Sequence, residues 1–187
     1  MCSADRYDRP IPNSYWVRPG RFAAGEYPGA KDPRAAAAKL RDLLQAGIDH
    51  FIDLTEVREP LERYDLIAEE ESRLLGKDVR SERHPVEDMS VPRSPEQMKE
   101  ILDAIDGALE GGETVYVHCY GGVGRTGTVI GCWLVRHGLT GDEALVQIAE
   151  WWKGVEKFWR IPESPETRQQ KDYVRTWNER SGAGKDA

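Results

Sequence analysis

The chain has 187 residues, 39% of them hydrophobic, enough for one domain with its own core and short for two. With 33 acidic against 26 basic residues its net charge is −7, which argues against non-specific binding of nucleic acid or of an anionic membrane surface. An anion would have to be held locally, by a few well-placed donors.

No apolar run approaches the ~20 residues of a membrane span. The N-terminal "MCSADRYDRPIPNSYW" has no apolar signal-peptide core. Three cysteines (Cys2, Cys119, Cys132) are too few for a disulfide framework, so a reduced, cytoplasmic setting is expected.

Residues 1 to 19, rich in Pro, Arg and Asp, read as an irregular lead-in. A short strand is expected within "GRFAAGEYPG" (20–29). Asp32 as cap and Pro33 at the first helical position open a helix that runs to Gly47, with Leu40, Leu43 and Leu44 on its apolar face. "IDHFIDLT" (48–55) reads as a strand. "EPLERYDLIAEEESRLLGK" reads as a charged helix ending near Gly76. A further short strand is expected in "DVRSERHPV", followed by the loop "EDMSVPR".

Ser94, Pro95 and Gln97 supply the cap, N1 and N3 positions of the next helix, whose Met98, Ile101, Leu102, Ile105 and Leu109 recur at helical spacing. "TVYVH" is the best strand in the chain. A glycine-rich loop then leads into a helix from about Arg125 to His137. Thr140 and Glu143 form a capping box for the helix "EALVQIAEWWK". A last helix is expected from Ser164-Pro165, and 182–187 as a disordered tail. Strands alternating with helices, without repeats or an internal linker, indicate an α/β layered domain.

The chemistry concentrates in "VYVHCYGGVGRTGTVIGCWLV" (115–135). Gly122, Gly124 and Gly127 match the G-x-G-x-x-G dinucleotide fingerprint, but the context fails. Asp142 and Glu143, at the range where an acidic residue should close a second strand, cap a helix instead.

The other reading is an anion cup. A loop between a buried strand and a helix N-terminus aims several backbone N–H groups at one point, and glycines at 121, 122, 124 and 127 let it turn tightly. Arg125 adds a planar fork for two phosphate oxygens. The field that attracts phosphate also favours a thiolate over a thiol, as a nucleophilic Cys119 requires.

His118-Cys119-x5-Arg125-Thr126-Gly127 resembles the signature of the cysteine-dependent protein tyrosine and dual-specificity phosphatases. "HCYGGVGRTG" is especially similar to the loop of kinase-associated-phosphatase-like and bacterial dual-specificity-type enzymes. The resemblance runs from about residue 12 to 178. It implies a single phosphatase domain over 1–187, with 1–11 as lead-in, and a central mostly parallel sheet of about four to five strands flanked by helices.

At the site the resemblance implies Cys119 as nucleophile and a phosphate held by Tyr120, Gly121, Gly122, Val123, Gly124 and Arg125. Asp88, in "HPVEDMSVP" 31 positions before Cys119, takes the place of the general acid, with Glu87 as the neighbouring rival. Thr126 is expected to hydrogen-bond the cysteine sulfur, and His118 to brace the loop. Gln170, in "SPETRQQKDYV", stands where a glutamine can position the hydrolytic water; the alternative is a solvated helix glutamine. No metal or cofactor is implied.

The implied activity is phosphomonoester hydrolysis on phosphoproteins, with a phosphorylated protein as partner and neither nucleic acid nor membrane. Val86-Glu87 before Asp88 departs from the Trp-Pro-Asp loop of the large tyrosine-specific enzymes. Tyr120 and Val123 stand where the tensin-related lipid phosphatases carry lysines. Rival readings are an RNA 5′-triphosphatase, a nucleotide or inositol phosphate hydrolase on the same scaffold, a phosphate-reading pseudophosphatase, and a thiol redox protein, against which the sequence has no C-x-x-C pair.

Trp151, Trp152, Phe158 and Trp159 are expected to pack the core. Cys132 is expected as a small buried apolar residue. His50, His84 and His137 show no metal-ligand spacing.

Overall fold

The strands are short, and their alternate residues go to opposite sides. Five of them, β1 (Ser14–Arg18), β2 (Phe22–Gly25), β3 (His50–Asp53), β4 (Arg80–Arg83) and β5 (Val115–His118), form one sheet in the order β1-β2-β5-β3-β4. β1 runs antiparallel to β2, and the other neighbours are parallel. The structure, a computed structural model, describes residues 9–179. Cys2, most of the lead-in and the expected tail at 182–187 lie outside them.

Central β5 shows why a strand covered on both faces reads as a continuous apolar run. Val115 and Val117 enter one core, with Phe22, Ala24 and Ile52 from the strands beside them. Tyr116 points the other way, into a second core with Ala23 and Phe51. α1 (Pro33–Gln45) and α2 (Asp65–Leu74) cover the second core, where Leu40, Leu43 and Leu44 are fully buried. Each such leucine removed from water contributes roughly 1.5–3 kcal/mol. The first core lies under α3 (Pro95–Glu110), α4 (Gly124–Arg136), α5 (Gly141–Trp152) and α6 (Arg168–Thr176). The expected α/β architecture is the one observed.

The parallel strands all end at one border of the sheet. Connections 54–64, 84–94 and 119–123 therefore meet there, beside the start of α4. At the outer edge β4, "RSER", is largely exposed.

Four local expectations need correction. Residues 14–18, read as lead-in, form β1, because Tyr15 and Val17 reach one core and Trp16 the other. The charged helix starts at Asp65, not near Glu59, since a residue before proline is disfavoured in helical conformation and Pro60 follows Glu59. α6 starts at Arg168, with Thr167 and Gln170 forming its capping box. Ser164 instead sends its hydroxyl to the Val123 carbonyl at 2.8 Å. Trp159, finally, is 89% exposed; Trp152 is the tryptophan that is fully buried, donating its indole N–H to Ile161 O at 2.7 Å.

Candidate active site

Cys119 follows the last residue of β5 and is 3% exposed. The four residues after it make the turn into α4. Gly122 has φ +71°, and a Cβ there would come within 2.5 Å of the Glu26 backbone nitrogen, so no side chain fits.

The loop's carbonyls are tied outward. Tyr120 O accepts from Tyr27 N (3.0 Å), Gly121 O from Lys157 Nζ (2.8 Å), and Val123 O from Ser164 Oγ. In a planar trans peptide the carbonyl and the following N–H point in opposite directions. The N–H groups of Gly121, Gly122 and Gly124 are thereby turned to the inner side of the loop. Those of Tyr120, Gly121, Gly122 and Val123 donate to no backbone oxygen among the described residues. Together with the first turn of α4 they form a concave set of donors suited to an anion.

Arg125 sits in that first turn with its side chain 1% exposed. Glu59 grips it bidentately, Nη1 to Oε1 at 2.6 Å and Nη2 to Oε2 at 3.1 Å. Its Nη1 also donates to Val86 O at 3.1 Å. Asp88 Oδ1 lies 3.0 Å from Nη2. Burial alone would raise the Glu59 carboxyl; hydrogen bonds from Arg125 and from the Glu56 N–H outweigh it and hold the group below the usual carboxylate range.

Of the two neighbouring acids, Asp88 is the one turned to the cup. Glu87 lies 3.7 Å from Arg58 Nη2 instead. The Asp88 side chain remains 62% exposed, reachable from solvent while touching the guanidinium. Met89, next to it, has φ +60°, an uncommon conformation for a residue with a side chain.

Behind the loop lies a buried polar network. His118 Nε2 is 2.8 Å from Tyr64 OH, and its Nδ1 faces only acceptors, Cys119 O at 3.4 Å and Asp53 Oδ1 at 3.8 Å. Nδ1 therefore bears the ring proton and Nε2 accepts from tyrosine. Burial drives the His118 pKa below the ordinary value, against the attraction of Asp53, so the ring is neutral at pH 7. Asp53 accepts from Thr55 N, Thr55 Oγ1 and both donors of the Arg83 fork. Arg83, Asp53, His118 and Tyr64 thus fasten the ends of β3, β4 and β5 together.

Gln170 is fully buried, which removes the solvated reading. Its Oε1 accepts from Thr167 N and its Nε2 donates to Ser90 O, both at 3.0 Å. A Cβ on Gly124 would stand 2.8 Å from that amide, so the glycine is what admits Gln170 to the base of the cup. Thr126 Oγ1 and Arg125 Nε are buried and without a hydrogen-bond partner among the described residues. The expected bond from Thr126 to the cysteine sulfur is not made in this arrangement. Cys132 is a buried free thiol, its pKa pushed well up by burial. Among the described residues no group of three or more His, Cys, Asp or Glu is disposed to hold a metal.

Of the residues singled out in the sequence, the fold brings Cys119, Arg125 and Asp88 together; Glu59, Asp53, Tyr64 and Ser164, which surround them, were not singled out. Pro60 was a usable signal for Glu59, since it marks 54–64 as a loop leaving a parallel strand at the border where ligands bind.

A central parallel strand leading into Cys119, a turn of inward N–H groups and a buried arginine in the first turn of α4 are the arrangement of a phosphatase of the dual-specificity type. A family model described as "Polymorphic toxin system, DSP-PTPase phosphatase" matches residues 27–139, and the chain belongs to this family. It is 32% identical over 99 residues to a putative tyrosine phosphatase, 067L, of Invertebrate iridescent virus 3; the match spans 51% of this chain and 38% of that protein. Among solved structures it is similar to the active form of Tk-PTP, at 27% identity and TM-score 0.67, covering 87% of this chain and 94% of the other. The fold also matches kinase-associated phosphatase with its catalytic cysteine replaced by serine, at 17% identity and TM-score 0.67, covering 87% and 88%. No helix among the described residues is long and apolar enough to cross a membrane.

Proposed function

We propose that this phosphatase hydrolyses phosphomonoesters on proteins, phosphotyrosine among them, in two steps through a cysteinyl-phosphate. The single observation that carries the reading is the 3.0 Å approach of Asp88 to Arg125: a solvent-reachable acid stands over the same cup whose wall holds Cys119.

In the first step the Cys119 thiolate attacks phosphorus in line. The S–P bond forms as the P–O ester bond breaks, and Asp88 gives its proton to the departing oxygen. The N–H groups of residues 120–125 and the Arg125 fork hold the three equatorial oxygens, where charge is greatest. Arg125 Nε and Thr126 Oγ1 have donors to offer an oxyanion or the sulfur. In the second step Asp88, now a carboxylate, takes a proton from water as its oxygen attacks phosphorus. The S–P bond breaks and the thiolate returns.

His118 is assigned to bracing, since its ring nitrogens are engaged behind the loop. Gln170 holds the Ser90 carbonyl and has one lone pair left for the hydrolytic water. The proposed partner is a phosphorylated protein in the cytoplasm, with neither nucleic acid nor a membrane surface involved.

Cys119→Ser should abolish p-nitrophenyl phosphate hydrolysis while vanadate or phosphate still binds; retained turnover would remove Cys119 from its role. Asp88→Asn should slow poor leaving groups by ~10²–10⁴-fold and good ones far less. If Glu87→Gln produces that pattern instead, Glu87 is the acid.

A further inference from the structure

Beside the loop opens a cleft of about 370 Å³, with Tyr120 and Gly121 on one wall. Lys31, Lys39 and Lys157 line it against Glu26 and Glu62. Glu26 lies between Lys39 (2.8 Å) and Lys157 (2.9 Å), so one carboxylate serves two ammonium groups. Lys31 makes no hydrogen bond or ion pair among the described residues. Glu62 engages only its backbone carbonyl, which accepts from Tyr27 OH at 3.1 Å.

The far side of the cup has the opposite sign. There Glu56, Glu59, Glu87 and Asp88 stand against Arg58 and Arg125. The mouth is therefore positive beyond Tyr120 and negative beyond Asp88, on a chain whose total charge is −7. Tyr120, 61% exposed, lies between the cup and the cleft as an aromatic surface.

Building on the phosphoprotein reading above, we propose that this cleft takes an acidic side chain of the substrate peptide, and so gives the enzyme a preference for Asp or Glu on one side of the phosphorylated residue only. The reach is short. Tyr120 and Gly121 belong both to the loop and to the cleft wall, so the two sites adjoin, and in an extended peptide an acid two or three positions from the phosphorylated residue spans the ~7–11 Å that such a neighbouring site calls for. The wall opposite makes the preference one-sided, since an acid directed there meets the exposed carboxylates of Glu87 and Asp88. Lys31 is the cation with no internal partner to give up, and Glu62 opposes it.

The test uses phosphotyrosyl peptides carrying Asp, Asn or Lys at two or three positions before or after the phosphotyrosine, with kcat/KM measured at low salt. The expected result is a preference of about three- to fivefold for Asp over Asn on one side and none or the reverse on the other, the size of an exposed ion pair. Lys31→Glu should erase or invert that preference and Glu62→Gln should enlarge it, both with unchanged turnover of p-nitrophenyl phosphate, which is too small to reach the cleft. Equal rates on all peptides, an acid preference on both sides, or one that survives Lys31→Glu would overturn the proposal while leaving the phosphatase reading intact. Inositol polyphosphates turned over faster than every peptide would overturn it too, by giving the cleft a different anion. If the wild type hydrolyses neither peptides nor p-nitrophenyl phosphate, the reading on which the proposal rests fails.

Discussion

Glu59→Gln isolates the one carboxylate that grips Arg125 from behind. The pair is bidentate, at 2.6 and 3.1 Å, with side chains 1% and 15% exposed. Removing one partner of a fully buried pair costs about 3–5 kcal/mol, but Glu59 is not sealed from water and glutamine keeps an acceptor for one of the two donors. Arg125 also retains Val86 O and Asp88. Exchanging two charge-assisted bonds for one weaker bond then costs about 2 kcal/mol. At roughly 2–4 °C per kcal/mol for a chain of this size, Tm should drop by about 4–8 °C.

The sign of the pH dependence follows from the Glu59 pKa, which is lower in the fold than in the unfolded chain. Its stabilisation is fully present above the unfolded value near 4.5 and is lost as pH falls through the folded one. The Tm gap between wild type and variant should therefore be constant from pH 8 to 5 and narrow below that. A guanidinium no longer held in register should lower kcat/KM on p-nitrophenyl phosphate by ~10–100-fold. Thermal melts across pH with steady-state kinetics check both. A variant within 1 °C of wild type at pH 7, or with kcat/KM within twofold, would refute the reasoning.

His118, whose pKa burial holds down, should titrate in the native protein below the ordinary imidazole range, read by NMR. Because its folded pKa is depressed, its share of stability is complete above about pH 6.5 and declines as pH falls below that, so melts at pH 5.5 should lie below those at pH 7.5. Gln170→Ala frees the Ser90 carbonyl and uncaps the first turn of α6, at a cost of about 1 kcal/mol in stability. It should also slow p-nitrophenyl phosphate turnover by ~10-fold and poorer leaving groups more, because the Asp88 loop loses its tie. An equal rate for all leaving groups would show that Gln170 does not act through Asp88.

What was legible in the sequence was what is local. Cys119, the glycine loop and Arg125 lie within seven residues, and backbone geometry alone brings them together. Asp88 could be placed because its spacing from Cys119 and its D-x-x-x-P setting resemble those of the family's general acid. Helices with explicit caps, at Asp32, Ser94 and Thr140, appear where those side chains said they would. Glu59 and Asp53 stayed hidden because their partners lie 66 and 30 positions away, and parallel strand order, not periodicity, makes them neighbours. The start of α6 was misjudged for a related reason. Ser164-Pro165 carries the local signature of a helix start, and a distant carbonyl of the phosphate loop claims the serine. β1 was missed because prolines and charges on either side masked a run of only three consecutive apolar residues, Tyr15 to Val17.

The outermost strand, Arg80-Ser81-Glu82-Arg83, has its own consequence for how copies of the molecule meet. Arg80 reaches Glu82 at 2.7 Å, and Arg83 turns back to Asp53 at 2.8 Å, so the open hydrogen-bonding flank is fringed with hydrated charge. A foreign chain trying to lengthen the sheet there would have to strip water from those groups before gaining a single ladder bond. That border is a poor template for fibrous growth.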